Sequence, residues 1–286
     1  MQIQWYPGHM TKARREMENA VKSVDLVIEL LDARIPNASR NPDIDRIASN
    51  KYRLILLNKA DLADEEATKA WIGFFRNLGI KAVALDSRAN KALKTIDQAV
   101  ADVCREKIEK DRKRGILNRR IKAMVAGIPN VGKSTFINSM AGKAVSKTGN
   151  LPGVTRGTQW IRLNKTIDLM DTPGILWPKF DDEKVGECLA FTGAVSSDVV
   201  DEVALSEKLL ETLSGFPGDP VRTRYGLSLD DVSHPVELLT EIARKKNCMK
   251  KMAEPDLERM GKTILEEFRS GKLGKITLEM PDGSAV

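Results

Sequence analysis

The 286 residues, 42% of them hydrophobic, are enough to fill a core in one ordinary domain plus a smaller one, and a formal charge of +6 favours a polyanionic partner without naming it. Three widely spaced cysteines, Cys104, Cys188 and Cys248, make neither a disulfide framework nor a zinc site, so a reducing cytoplasm is the expected location. The N-terminus lacks an apolar export core, and no run approaches the ~18 apolar residues of a membrane span, so integral membrane association is not expected.

In chain order, Trp5 to Met10 reads as a turn leading into a helix. Met10, Ala13, Met17, Ala20, Val21 and Val24 recur at helical spacing, while Lys12, Arg14, Arg15 and Lys22 lie mostly elsewhere around it, either a solvated face or an RNA surface. Residues 25–32 (DLVIELLD) and 52–57 (YRLILL) read as buried strands, joined by a polar loop and a short helix over 43–49. Directly after the second strand stands Asn58-Lys59-Ala60-Asp61. Ligands of open α/β sheets bind at the carboxyl ends of strands. An aspartate there can accept from guanine N1–H and the exocyclic amino group together, which adenine cannot offer, so Asp61 argues for guanine and against an ATPase. Asn58 would brace the loop and touch the base, and the Lys59 stem could lie along the ring.

A helix over 64–78 and a strand over 81–85 follow, then Asp86-Ser87-Arg88-Ala89. In guanine-binding proteins a short Ser-Ala loop at this place presents a backbone N–H to guanine O6. By position, Ser87 and Arg88 take that role here, with Arg88 where Ala is usual. Residues 91–114 read as one helix with a cationic end, either a solvated tether or an RNA footprint.

Residues 121–126 (IKAMVA) then read as a buried strand and 134–141 (STFINSMA) as a helix. Between them, residues 127–134 (GIPNVGKS) match the phosphate-binding loop at every specified position. Backbone N–H groups from Asn130, Val131, Gly132, Lys133, Ser134 and Thr135 would close around the phosphates at the helix N-terminus. Lys133 would reach the β- and γ-phosphates and the Ser134 hydroxyl would ligate magnesium.

Beyond this loop, residues 151–157 (LPGVTRG) sit where a switch segment belongs, with Thr155 the candidate to close over magnesium and the γ-phosphate. A hairpin turning at Asn164-Lys165 leads to Asp171-Thr172-Pro173-Gly174, where Asp171 would hold magnesium and the Gly174 N–H would sense the γ-phosphate. The motif order is itself informative. The guanine-reading segment precedes the phosphate loop by about seventy residues, the reverse of ordinary small GTPases, so the same site requires a circularly permuted chain. Residues 1–178 are expected to form that α/β GTPase domain. Residues 179–286 are expected to form a small helical, RNA-binding domain, with helices over 183–191, 206–213, 236–249 and 256–268 and lysines clustered at 245, 246, 250 and 251.

The permuted order, Trp5 to Met10, Asp32-Ala33-Arg34-Ile35-Pro36, Ser39-Arg40-Asn41-Pro42, residues 127–130 and residues 271–278 (GKLGKITL) together resemble the bacterial ribosome biogenesis GTPase A family, also called YlqF. The resemblance implies a GTP/GDP- and Mg2+-dependent factor for late assembly of the large ribosomal subunit, binding its rRNA and stimulated by it; a monomer is expected. Ile175 stands where many GTPases carry the glutamine that orients the attacking water. The family pattern points to His9 instead, as a neutral imidazole orienting water or acting as a weak base. It also makes Asn130 the position that would help bind K+. A GTP-dependent placement module for another partner, such as the small subunit or an acidic membrane surface, with incidental hydrolysis, is the competing expectation.

Overall fold

The computed structural model describes residues 8–89, 92–117, 119–142, 159–172, 174–176, 182–196, 198 and 200–281, with residues 8–13 and 159 by backbone alone. The most apolar stretch of the first half becomes the interior of a six-stranded sheet. Strand β1 (Leu26–Asp32) is buried along its whole length, because a strand flanked on both sides by parallel neighbours and covered on both faces has no solvent side. Around it stand β2 (Tyr52–Asn58), β3 (Lys81–Leu85), β4 (Ile121–Ala126), β5 (Gln159–Arg162) and β6 (Ile167–Asp171), in the order β3-β2-β1-β4-β6-β5, all parallel except β5. The β5–β6 hairpin turns where expected, since Asn164 Oδ1 accepts the backbone N–H groups of Thr166 and Ile167, both at 2.8 Å.

Helices α1 (Gly8–Ala20) and α2 (Asp43–Ile47) cover one face of the sheet, packing Met17, Val21 and Ile44 on Val27, Met124 and Met170. Helix α3 (Glu65–Asn77) seats Trp71 and Phe75 against Leu31, Ile55 and Leu57. The single helix expected over 91–114 is instead two, α4 (Ala92–Val103) and α5 (Arg105–Lys113), bent at Cys104. The bend is local. Cys104 has ψ 14°, yet its N–H donates to Val100 (2.9 Å) and its carbonyl accepts from Ile108 (3.0 Å), so the turn tilts without losing its bonds and keeps the thiol in the core.

Helix α6 (Lys133–Ala141) leads off the phosphate loop. The second half folds as α7 (Glu183–Phe191), α8 (Glu202–Ser214), α9 (Pro220–Tyr225), α10 (Pro235–Lys245) and α11 (Leu257–Arg269). The short α9 lies between the helices expected over 206–213 and 236–249: Asp219 caps it by accepting from Arg222 N–H at 2.9 Å, and Pro220 opens its first turn, where no N–H is needed. These helices share the sheet's own core, which runs from Leu26, Val125 and Leu169 through Leu176 to Leu189, Leu209 and Ile264.

The chain then returns to the sheet. Ile276 N–H donates to Leu62 O (3.0 Å) and Leu278 N–H to Arg34 O (2.7 Å). Thr277 Oγ1 donates to Ala33 O (3.2 Å) and accepts from Asp64 N–H (3.1 Å). The Glu279 carboxylate accepts the N–H groups of Asn37 (2.8 Å) and Ala38 (3.1 Å). Burial pushes that carboxyl up to about 7, against the pull of those two donors. The last described residues thus strap the two segments that flank Asn58 to Asp61.

Candidate functional site

Every parallel strand of the sheet points its carboxyl end at one rim, and the expected phosphate and base loops all leave from there. Gly127 follows β4, and a Cβ on it would lie 2.6 Å from Leu30 O; on Gly132, whose φ is +100°, a Cβ would lie 2.5 Å from Asn58 Nδ2. Only glycine lets the loop pass this close to its neighbours. Lys133 opens α6, and its ammonium donates to the loop's own carbonyls, Gly127 O at 3.0 Å and Ile128 O at 2.9 Å. Burial pulls that ammonium down to about 8, opposed by Asp171. Gly174 abuts the same ammonium: a Cβ there would lie 2.9 Å from Lys133 Nζ and from Pro129 Cα. Asp171, fully buried at the end of β6, and Ser134, second residue of α6, complete the phosphate side. Val131 is buried and Thr135 exposed. Among the described residues no group of three or more His, Cys, Asp or Glu could hold a metal. A hydroxyl and a carboxylate beside a phosphate cradle instead suit magnesium, a hard cation that keeps substrate phosphates and waters among its ligands.

The base side is joined to the phosphate side through Asn58. Its Nδ2 donates to Val131 O at 2.8 Å, and its Oδ1 accepts from Ser87 Oγ (2.6 Å) and Ser87 N–H (3.3 Å). Three loops from distant stretches of sequence are thus pinned on one buried amide. The Ser87 N–H, expected to face a base, is directed at Asn58. Lys59 adopts φ +58° and reaches back to Asn130 O (2.8 Å) and Asp32 Oδ2 (2.9 Å). Asp61 Oδ2 is hydrogen-bonded by Arg88, which also contacts Asp86, whereas Asp61 Oδ1 is buried with no hydrogen-bond partner among the described residues. Arg88 therefore covers the acidic end of the base loop, a place that sequence alone did not give it.

Beneath Lys59 lies a cluster that motif reading missed. Asp32, at the end of β1, takes Arg34 Nη2 at 2.9 Å and Nε at 3.0 Å as well as Lys59, and Arg34 is only 1% exposed. Burial pushes the Asp32 carboxyl up, but Arg34 and Lys59 overcome it and hold the group far below the usual carboxylate range. Arg34 Nη1 continues to the carbonyls of Phe268 (3.3 Å) and Arg269 (3.4 Å) at the end of α11. The phosphate loop also touches the second half directly, as Asn130 Nδ2 donates to Gly193 O at 2.5 Å. A carboxylate at the end of a buried strand followed two residues later by arginine is the one local signal that could have pointed to this pair.

His9 lies in the first turn of α1, its side chain outside the described residues, as is the Thr155 switch segment. No described helix is long and apolar enough to cross a membrane.

Residues 122–213 match a family described as 50S ribosome-binding GTPase. Ribosome biogenesis GTPase A of Bacillus cereus is 43% identical over 284 residues, covering 99% of this chain and 95% of its own. Its counterpart from Thermotoga maritima is 32% identical, with 98% and 95% covered. Among solved structures, GNP-bound YlqF from T. maritima superposes with a TM-score of 0.68 at 28% identity, covering 96% of this chain and all of that one.

Proposed function

The chain belongs to the ribosome biogenesis GTPase A family and is a GTP-hydrolysing enzyme, and from that premise we propose that it acts in the cytoplasm, as a monomer, on the late-assembling large ribosomal subunit. It binds that subunit's rRNA and is stimulated by the particle. The observation that carries the guanine site is the buried Asp61 Oδ1, which has no hydrogen-bond partner among the described residues, at the rim from which the phosphate loop leaves. Such an oxygen costs about 1–3 kcal/mol unless a donor arrives, and guanine brings the N1–H and amino donors. The second guanine donor would share or compete for Asp61 Oδ2, which Arg88 already engages.

On the phosphate side Lys133 turns from its two loop carbonyls to the γ-phosphoryl oxygens, and the Gly174 N–H reports their presence. Ser134, Asp171 and Thr155 would hold magnesium, which would neutralise phosphate charge. His9 orients the attacking water in place of the glutamine that Ile175 replaces, and Asn130 is the position for a potassium ion. Two halves of one chain meet at the nucleotide loops, which supports a reading in which particle contact alters turnover.

For the base, Asp61→Asn should weaken GTP binding by about 2 kcal/mol, roughly thirtyfold, and narrow the preference for guanine over adenine. An equilibrium titration with labelled GDP in competition with ATP reads this directly; an unchanged preference sinks the base-pocket assignment. For the partner, GTP turnover is measured alone, with purified large subunits and with small subunits. Large subunits should accelerate the wild type at least tenfold, and His9→Ala should lose most of that gain while still binding GDP. Acceleration by small subunits alone moves the partner, and full acceleration of His9→Ala removes the histidine from the mechanism.

A further inference from the structure

Residues 105–122 carry nine Lys and Arg against three Asp and Glu, a net +6 equal to the formal charge of the entire chain. The rest of the protein sums to neutral, so its cationic excess is one localised feature. The fold brings this segment to the starts of β1, β2 and β4, the end of the sheet opposite the nucleotide loops and, for strands of this length, about 20 Å from them. A groove there is lined by five cations, Lys51, Lys107, Lys110, Arg114 and Arg119, against two carboxylates, Asp25 and Asp111.

Its lower cations are held in place. Lys51 Nζ donates to Val24 O at 2.8 Å, Lys107 lies 3.2 Å from Asp25 and 3.6 Å from Asp111, and Arg119 lies 3.8 Å from Asp111. Lys110 and Arg114 of the groove, with Arg112 and Lys113 next to them, are exposed at one end of α5, and no ion pair engages them among the described residues. Like charges packed this closely repel one another unless a polyanion lies across them.

We propose that the groove and the adjoining face of α5 bind the phosphate backbone of structured RNA. The inference rests on the ribosome reading above and adds to it a contact made by the sheet half of the protein, separate from the lysines near the end of α10. RNA is favoured over a bilayer by the surface's make-up. Among the described residues of this segment, only Ile116 and Leu117 are exposed large apolar side chains, too little area for insertion, whereas fixed cations in a groove match a rigid array of phosphates.

The test is binding of deproteinised large-subunit rRNA by the full chain across a salt series, with the triple variant Lys110→Gln, Arg114→Gln, Arg119→Gln. A second variant carries Lys245→Gln, Lys246→Gln, Lys250→Gln and Lys251→Gln. Vesicles of phosphatidylcholine and phosphatidylglycerol form a parallel arm. The groove variant should bind rRNA at least about tenfold more weakly at ~0.15 M salt, and the slope of log affinity against log salt should fall by about 2–3. Its melting temperature and basal GTP turnover should match the wild type. Loss confined to the second variant, an unchanged slope, or loss of vesicle binding alone overturns the proposal while leaving the rRNA-binding reading standing or failing on the wild-type curve. Wild type that binds no rRNA overturns both.

Discussion

Replacing Lys133 by alanine will lower GTP turnover by about 1,000-fold, roughly 4 kcal/mol of transition-state stabilisation, in a protein that still folds. The fold tolerates the change because alanine removes a buried cation, which offsets part of the loss of its two hydrogen bonds to Gly127 O and Ile128 O. Chemistry does not tolerate it. The ammonium is the one side-chain cation inside the loop, and in a site that excludes water its attraction to developing γ-phosphoryl charge is far stronger than in solvent. A pH signature separates this role from mere packing. In the free protein the ammonium titrates near 8 because burial has lowered it, while bound phosphate holds the proton on. Binding GTP then takes up a proton at and above that pH, so affinity falls as pH rises from about 8 to 10, and Lys133→Ala lacks this component. Single-turnover rates and calorimetric titrations at several pH values check both; a variant within tenfold of the wild-type rate would remove Lys133 from the transition state.

The sheet was legible because its information is local. Mostly apolar runs gave β1, β2 and β4, the Asn164 turn gave the hairpin, and glycine and proline placed the loops. Permutation was legible too, since the order of motifs along a chain is itself sequence. Nothing local, however, indicates that Arg34 will meet the carbonyl of Phe268, 234 residues away, or that Glu279 will cap the loop at Asn37 and Ala38. Such pairings depend on where two packed halves come to rest. The bend at Cys104 escaped for a different reason, because helical spacing of apolar residues continues through it. Arg88 was placed by homologous position, and its pairing with Asp61 follows only from the curvature of the two loops.

The buried cluster of Asp32, Arg34 and Lys59 carries the largest expected cost in stability. Changing Asp32 to asparagine should destabilise the protein by about 3–5 kcal/mol, the range for removing one partner of a buried ion pair. The shape is conserved and only the charge is lost, but Arg34, 1% exposed, then keeps its guanidinium in the interior with two helix-end carbonyls and no carboxylate. Lys59 loses the same partner, leaving the Asn130 carbonyl as its remaining fixed contact. Two consequences should therefore appear together. Chemical denaturation should show the stability loss, and GDP affinity should fall more than folding alone accounts for, measured under conditions where the variant is fully folded. Pairing Asp32→Leu with Arg34→Met should recover part of the stability, because a neutral pair leaves no buried cation, without restoring GDP affinity, because Lys59 is still unanchored. Recovery of both would make the cluster a packing device alone; recovery of neither would mean that Arg34's hold on the end of α11, rather than its charge balance with Asp32, dominates the junction.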